Sequence, residues 1–190
     1  GPTKPLEPKL VVTDNFDNLD LDTKLWSPWT PGDGSRALQS NGKIEIELPA
    51  GFTQYTSAGL DSKTLIDANV DFEATVDAEI VQGGDAFGSE TALIFHEGIS
   101  EWANQLSVFL VKDESGDVKI GAYKVLNGEY LTLDYFKSYD HSGPFTISLK
   151  RAEGVVTFSV KEGTEFVTLG RLTSGYYGGA GIVSFHVNTM

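Results

Sequence analysis

The chain has 190 residues, of which 40% are hydrophobic, and this length suits a single domain with a substantial core. It contains no cysteine, which excludes a disulfide scaffold, a cysteine-ligated zinc site and a cysteine nucleophile. The formal net charge is −13, and so acidic a surface disfavours nucleic acid and anionic membranes as partners. No apolar run approaches the roughly 20 residues of a membrane span, so membrane insertion is not expected.

The first nine residues (GPTKPLEPK) differ in composition from the rest. They hold three of the seven prolines, and Gly1-Pro2 is typical of a remnant of tag cleavage. We therefore predict a linker over residues 1–9 and one domain over 10–190. A proline-rich lead-in commonly separates modules, so other domains of the same parent chain are expected partners.

Short strands with turn signals between them are predicted for the rest of the chain. Asn41-Gly42 and Asn127-Gly128 are strong hairpin signals, because Asn and Gly accept the left-handed backbone of a tight turn. Tryptophans 29 and 102 fall in predicted loops. The predicted strands cover residues 10–16, 37–38, 44–48, 55–60, 70–80, 91–96, 105–112, 118–125, 130–135, 145–150, 155–161, 165–169 and 181–187.

The segment Val70 to Ile80 shows the longest alternation of apolar and polar residues. Its even positions are apolar and its odd positions are polar or acidic, which predicts a half-buried strand. The segment Thr91 to His96 is apolar on both faces and predicts a central strand. About a dozen strands without a convincing helix predict an all-β fold, a two-sheet antiparallel β-sandwich of the jelly-roll kind.

The order of these elements resembles the concanavalin A-like lectin/glucanase superfamily, in particular the laminin-G-like jelly rolls of bacterial surface and polysaccharide-degrading proteins. The resemblance covers about residues 10–187 and is carried mostly by turn and core positions. The matching segments are Asp14, Phe16, Asp17, Leu21-Asp22 and Trp26; Asn41 to Ile44; Asp71 to Ile80; Ala92 to Phe95; Phe145 to Gly154; and Gly179 to Ser184.

Two enzyme branches of that superfamily have recognisable strands. Glucanases carry Glu-x-Asp-x-x-Glu, which does not occur here. Alginate-lyase-like members carry Gln-(Ile/Val)-His and Tyr-x-Lys; no Gln-Ile-His occurs, and Tyr123 and Lys124 do not reproduce the second motif. The resemblance therefore implies a non-catalytic member.

The acidic side of the long strand allows two interpretations. Asp71, Glu73, Asp77 and Glu79 lie on one face, and same-face carboxylates two residues apart are about 6.6 Å from each other, a workable spacing for glycoside hydrolysis. The ordinary interpretation is a solvated outer face, because antiparallel sheets commonly place charge toward water.

The aspartates early in the chain are candidate calcium ligands. Calcium prefers six to eight oxygen ligands, and the resemblance implies a site near the terminal strands, so we predict Asp14 and Asp17 as donors to Ca²⁺. Aspartate also forms ordinary turns, which is the alternative.

Six residues are predicted to bind carbohydrate. Aromatic faces stack on sugar rings while polar neighbours satisfy hydroxyls. His96 and His186 suggest a metal pair, but with no third ligand in view the ordinary interpretation is core or edge residues. The predicted binding residues are Trp29, Arg36, His96, Trp102, Tyr123 and Tyr176.

The sequence thus predicts a carbohydrate-binding module of a larger secreted or surface protein, extracellular and bacterial, that binds glycan through loop and concave-face aromatics. One alternative is a structural or adhesive spacer domain stabilised by calcium. Another is a glycoside hydrolase or polysaccharide lyase with an unfamiliar site.

Overall fold

The computed structural model describes residues 12–30, 35–48, 56–81, 89–98, 101–113 and 115–189. The predicted linker at residues 1–9 lies outside these ranges. Thirteen strands are found in them: β1 (Trp26–Trp29), β2 (Arg36–Ser40), β3 (Lys43–Glu47), β4 (Ser57–Ser62), β5 (Phe72–Ala78), β6 (Ser89–Gly98), β7 (Glu101–Lys112), β8 (Val118–Leu126), β9 (Glu129–Tyr139), β10 (Phe145–Ala152), β11 (Val155–Glu162), β12 (Glu165–Leu172) and β13 (Ile182–Thr189). Among the described residues, no helix has the length and apolar character needed to cross a membrane.

The strands form two main antiparallel sheets and one separate hairpin. The larger sheet has seven strands in the order β1-β4-β13-β6-β7-β8-β9, and the smaller has four in the order β12-β11-β10-β5. The hairpin of β2 and β3 lies against β4. The predicted two-sheet β-sandwich is confirmed.

The core lies between the two sheets and follows from alternation along each strand. Leu93 and Phe95 of the seven-stranded sheet and Leu149 and Phe158 of the four-stranded sheet are all buried in it. Successive side chains of a strand point to opposite faces, so the residues between them face away from the core. The seven-stranded sheet therefore has an inner face, which packs on the core, and an outer face, which points away from the four-stranded sheet.

The long alternating segment is confirmed as a half-buried strand. Phe72, Ala74 and Val76 pack against the core, and Glu73 and Asp77 are exposed on the other side of β5. The solvated interpretation of the acidic stripe is the correct one. The strand lies at the edge of the smaller sheet, so its acidic side lines no central groove.

Both Asn-Gly hairpins are confirmed, and the positive φ angles of Asn41 (54°) and Asn127 (52°) show why those residues are suitable. The predicted first strand is wrong in its described part, residues 12–16. The Asp14 carboxylate accepts a hydrogen bond from the Phe16 amide at 2.8 Å, and this local bond replaces a ladder bond.

The two tryptophans predicted in loops lie in strands. Trp29 ends β1, and β7 begins at Glu101, immediately before Trp102. The pairing of β6 with β7 has a register shift, or bulge, between His96 and Gly98. The pairing continues after the bulge, where Gly98 lies opposite Glu101. Glycine and polar residues around Trp102 suggested a loop, whereas cross-strand pairing with β6 extends the strand.

Candidate functional site

The outer face of the seven-stranded sheet, which points away from the four-stranded sheet, carries buried polar groups. The His–Asp cluster, comprising Asp61, His96, Ser184 and His186, lies at its centre and is almost completely shielded from solvent. A polar group buried without a partner is costly, so such a cluster requires an explanation beyond core packing.

Sheet register brings these four residues together from distant parts of the chain. Ser184 of β13 lies directly opposite Asp61 of β4 and Ile94 of β6, and His186 lies two residues further along β13 on the same face. His96 lies two residues beyond Ile94 and therefore also shares that face.

A chain of hydrogen bonds links the cluster. Ser184 Oγ donates to Asp61 Oδ1 at 2.6 Å and lies 2.7 Å from His96 Nε2. Because the only hydroxyl hydrogen goes to Asp61, Ser184 accepts from His96 Nε2–H, which leaves His96 Nδ1 unprotonated. Trp29 Nε1 donates to the same carboxylate oxygen at 3.1 Å.

Two ring nitrogens of the cluster have no hydrogen-bond partner among the described residues: His96 Nδ1 and His186 Nε2. His186 Nε2 points toward Asp61 Oδ1 but stops 3.9 Å away, beyond hydrogen-bonding distance. The arrangement is not that of a serine nucleophile, because the carboxylate contacts the serine rather than the imidazole and Ser184 is buried.

Two indole rings cover the cluster. Trp102 stacks on His96 with ring centroids 4.0 Å apart and meets the edge of His186 at 5.0 Å. Trp29 meets His186 from the other side at 4.9 Å. Trp102 keeps 36% of its surface exposed, so one ring shields the imidazoles below and presents a flat apolar surface above.

Burial lowers the pKa of both imidazoles in the cluster, an effect that nearby Asp61 opposes only partly. Burial opposes ionisation of Asp61 as well, but the His186 imidazole and the Ser184 hydroxyl outweigh it, and the pKa of that carboxyl is lowered. At neutral pH the cluster therefore contains a carboxylate and two neutral imidazoles.

An aromatic platform lies further along the same outer face and consists of Phe109, Tyr123, Tyr130 and Phe136. Tyr123 packs between Tyr130, with ring centroids 4.9 Å apart, and Phe109, at 6.0 Å. Tyr130 is 58% exposed and Phe136 is 55% exposed. The amide of Gln105, 3.4 Å from the Tyr123 hydroxyl, supplies a polar group beside the rings.

Four of the six predicted binding residues come together on this outer face: Trp29, His96, Trp102 and Tyr123. Of these, His96 is covered by Trp102 and has no exposed surface of its own. Sequence reasoning did not select Asp61 or Tyr130, because an aspartate in a short strand and a tyrosine after a turn carry no distinguishing pattern.

The structure does not bring the other two predicted residues onto the face. Arg36 forms an ion pair with Glu47 across the β2–β3 hairpin, at 2.6 Å, and lines a surface cleft with Trp29 at the end of β1. Tyr176 lies in the connection before β13 and packs against the core. Gly175 and Gly178 flank the pair Tyr176-Tyr177, a pattern typical of an exposed loop, whereas both tyrosines pack against the core.

The predicted calcium ligands occupy the segment before β1. Asp14 uses both carboxylate oxygens locally, accepting from the Phe16 amide and from Trp26 Nε1 at 2.7 Å. Asp17 lies next to Gly42 of the first hairpin. Calcium binding at this segment stays a prediction.

Glu90 of β6 is a further acidic residue of the outer face, and burial raises its pKa to about 7, opposed by a hydrogen bond from Asn188. The folded protein therefore retains a proton at pH values where the unfolded chain has lost it. The contribution of Glu90 to the free energy of unfolding therefore decreases as pH rises from about 5 to about 8. Glu90→Gln removes this dependence. As pH rises over that range, we expect the free energy of unfolding of the variant to increase by up to about 3 kcal/mol relative to that of the parent protein.

Urea denaturation at pH 5 and pH 8 measures this effect. Glu73→Gln, the same change on the exposed side of β5, is the matched control and should leave the difference between the two pH values unchanged. Equal stability differences for Glu90→Gln at both pH values would show that burial does not perturb this carboxyl.

Comparison with known proteins gives matches at the level of structure alone. No protein-family profile matches the sequence, and no curated protein matches it. Solved structures do match. A prokaryotic β-1,3-1,4-glucanase (lichenase) derived from a mouse hindgut metagenome has a TM-score of 0.60 at 11% identity, covering 93% of this chain and 84% of the glucanase.

Two similar structures are described as carbohydrate-binding domains. The carbohydrate-binding module CBM66 from Bacillus subtilis has a TM-score of 0.53 at 10% identity, covering 86% of this chain and 90% of the module. The carbohydrate recognition domain of Emp47p has a TM-score of 0.55 at 13% identity, covering 93% and 84%. These matches confirm the predicted jelly-roll β-sandwich fold, and proteins that share it include both glucanases and carbohydrate-binding domains.

Proposed function

We propose that this domain binds a polysaccharide on the outer face of its seven-stranded sheet, without cleaving it. One observation carries the proposal: exposed aromatic rings lie at two places on that face, at Trp102 and on the aromatic platform. The Trp102 ring lies over His96 of β6, and Tyr130 of β9 lies in the same cross-strand row as His96, three strand spacings away, which is about 14 Å at 4.8 Å per spacing. That span suits an extended oligosaccharide better than a single sugar.

The chemistry of the face supports this ligand class. Flat, partly exposed rings offer apolar contact to the C–H faces of sugar rings, and polar neighbours such as Gln105 offer hydrogen bonds to hydroxyls. A net charge of −13 favours a neutral glycan over a polyanion. The carbohydrate-binding domains that share the fold add weight to the same proposal.

Binding is favoured over hydrolysis by the placement of carboxylates. Two carboxylates of the outer face, Asp61 of β4 and Glu90 of β6, are two strand spacings and four residue positions apart. Their separation is therefore about 16 Å, whereas glycosidase pairs are about 5–9.5 Å apart. Asp61 is also buried beneath Trp29.

Affinity gel electrophoresis on a panel of neutral polysaccharides, including β-1,3-1,4-glucan, tests the proposal. We expect retardation by at least one of them, and Trp102→Ala and Tyr130→Ala should each weaken binding at least about tenfold, equivalent to about 1.4 kcal/mol. Phe166→Ala removes a comparably exposed ring, 45% accessible, from the four-stranded sheet and is the matched control.

The alternative outcomes are distinct. Retention that Phe166→Ala abolishes and Trp102→Ala preserves would place binding on the other sheet. Release of reducing ends from the retained polysaccharide would establish an enzyme. Absence of retention on every member would favour the structural or adhesive spacer interpretation. We place the parent protein at the cell surface or outside the cell, where such polysaccharides occur.

A further inference from the structure

We propose that the His–Asp cluster is a binding site for a divalent transition-metal ion of the Zn²⁺ class, held by one nitrogen of His96, one nitrogen of His186 and an oxygen of Asp61. This site lies beneath the surface proposed to bind polysaccharide and does not depend on it. The sequence suggested a pair of imidazole ligands, His96 and His186; the third ligand, Asp61, comes from β4 through the sheet register.

The donor atoms are close enough for one ion. One nitrogen from each imidazole and one oxygen of Asp61 lie within 4.8 Å of one another. Around a tetrahedral Zn²⁺ with ligand distances of 2.0–2.1 Å, donors are about 3.4 Å apart. Binding therefore requires any two donors to approach by at most about 1.4 Å, a movement that two side chains share.

The hydrogen-bonding state of the cluster indicates a missing partner. His186 Nε2 is buried, faces the Asp61 carboxylate at 3.9 Å and bonds to nothing among the residues described. His96 Nδ1 is also buried without a partner there. The buried His186 Nε2 and the Asp61 oxygen lie 3.9 Å apart with no bond between them, an arrangement that a cation bound to both atoms completes.

The donor set selects the kind of ion. Two imidazoles and one carboxylate suit Zn²⁺, Co²⁺ or Ni²⁺, whereas Ca²⁺ and Mg²⁺ prefer oxygen ligands throughout. Three protein ligands leave the fourth position of a tetrahedral ion to a further donor, and the Ser184 hydroxyl lies close to two of the ligands, 2.6 Å from Asp61 Oδ1 and 2.7 Å from His96 Nε2.

The surroundings have the features of an outer coordination shell. Trp29 Nε1 donates to Asp61 and holds the carboxylate in place. Trp102 stacks on the His96 ring and keeps solvent from it. Such support fixes ligand orientation before an ion arrives, which reduces the entropy lost on binding.

Titration calorimetry of EDTA-treated protein with Zn²⁺ tests the site. We expect one ion per chain, and a melting temperature that rises with Zn²⁺ concentration in the unmodified protein but not in His186→Gln. His186→Gln and Asp61→Asn should each weaken Zn²⁺ binding at least about 100-fold. His141→Gln is the matched control, because His141 is the third and last histidine of the chain and lies on the surface.

Imidazole NMR resonances of the unmodified protein provide a second measurement that does not depend on how the variants fold. With three histidines in the chain, Zn²⁺ should shift the ring signals of His96 and His186 and leave those of His141 in place. A Co²⁺ complex should show the visible absorption of four-coordinate geometry. Loss of binding in His141→Gln, shifts confined to His141, or no stoichiometric binding would each overturn the proposal.

Discussion

Replacing Arg151 with methionine is expected to lower the free energy of unfolding by about 3 kcal/mol, because its buried guanidinium connects two segments by hydrogen bonds to carbonyls. Nη1 donates to the carbonyls of Gly179, at 2.8 Å, and Tyr177, at 3.3 Å. Nη2 donates to the carbonyls of Asp67, at 3.3 Å, and Val70, at 3.4 Å. Without the arginine, these carbonyls lose a charged donor.

The guanidinium also packs against two aromatic rings that contact each other, with centroids 4.7 Å apart. Arg151 Cζ lies 4.7 Å from the ring centroid of Phe95 and 5.1 Å from that of Phe72, so the planar cation faces two core rings. Lysine has a single ammonium group and cannot reach both segments, so Arg151→Lys should not restore stability. Methionine keeps most of the apolar contact, and the measured loss therefore reports mainly the hydrogen bonds.

Thermal and urea denaturation measure this prediction. For a chain of this size, about 3 kcal/mol corresponds to a melting temperature lower by about 6–12 °C. Arg171→Met is the matched control, because Arg171 lies exposed on β12, two strands from β10 in the same sheet, and the same change there should cost less than about 0.5 kcal/mol. Equal losses in the two variants would contradict a special role for Arg151.

Replacing Gly59 with alanine is expected to destabilise the protein by about 2–3 kcal/mol and to disrupt the outer face. A methyl group at Gly59 would lie 2.6 Å from the backbone oxygen of Phe185, 2.8 Å from Trp29 Cζ2 and 2.9 Å from His186 Cδ2. No single rotamer change relieves all three contacts, because one of them is backbone. The strand β4 must therefore separate from β13, or Trp29 and His186 must move.

The melting temperature should decrease by about 4–12 °C, and near-ultraviolet circular dichroism should change as Trp29 leaves its position. Gly178→Ala is the matched control, since the new methyl group meets only Asn69 Oδ1, at an ordinary 3.7 Å. That variant should retain both stability and the aromatic signal. If Gly59→Ala melts like the parent protein, the close packing of β1, β4 and β13 is wrong.

Gly59→Ala and Arg151→Met should both destabilise the protein, but only Gly59→Ala should disturb the His–Asp cluster. Gly59→Ala should displace Trp29 and His186 together and thus weaken Zn²⁺ binding as well as lower stability. Arg151→Met acts between the sheets and at the connection that contains Tyr177, away from the His–Asp cluster. Measuring Zn²⁺ binding in both variants therefore distinguishes local disruption of the site from a general loss of stability.

The sequence by itself determined the fold class and the scaffold. Three local patterns carried this prediction: the alternation over Val70 to Ile80, the two Asn-Gly turns and the doubly apolar Thr91 to His96. Because side chains alternate between the two faces of any strand, these patterns can be recognised without knowing which strands pair. The same local reasoning identified Trp29, Trp102 and Tyr123 as candidates. It misplaced both tryptophans in loops, because strand ends depend on pairing with a neighbour.

Only the tertiary structure decided where the candidate site lies. Asp61 and His186 are 125 positions apart, and they come within 3.9 Å because β4 and β13 pair in one particular register. No local pattern encodes that register: it follows from burying the apolar faces of both strands in one core, and a slip of one residue would turn Asp61 toward the core. Tyr176 also depended on the tertiary structure: the glycines near it are typical of an exposed loop, but its ring packs against the core.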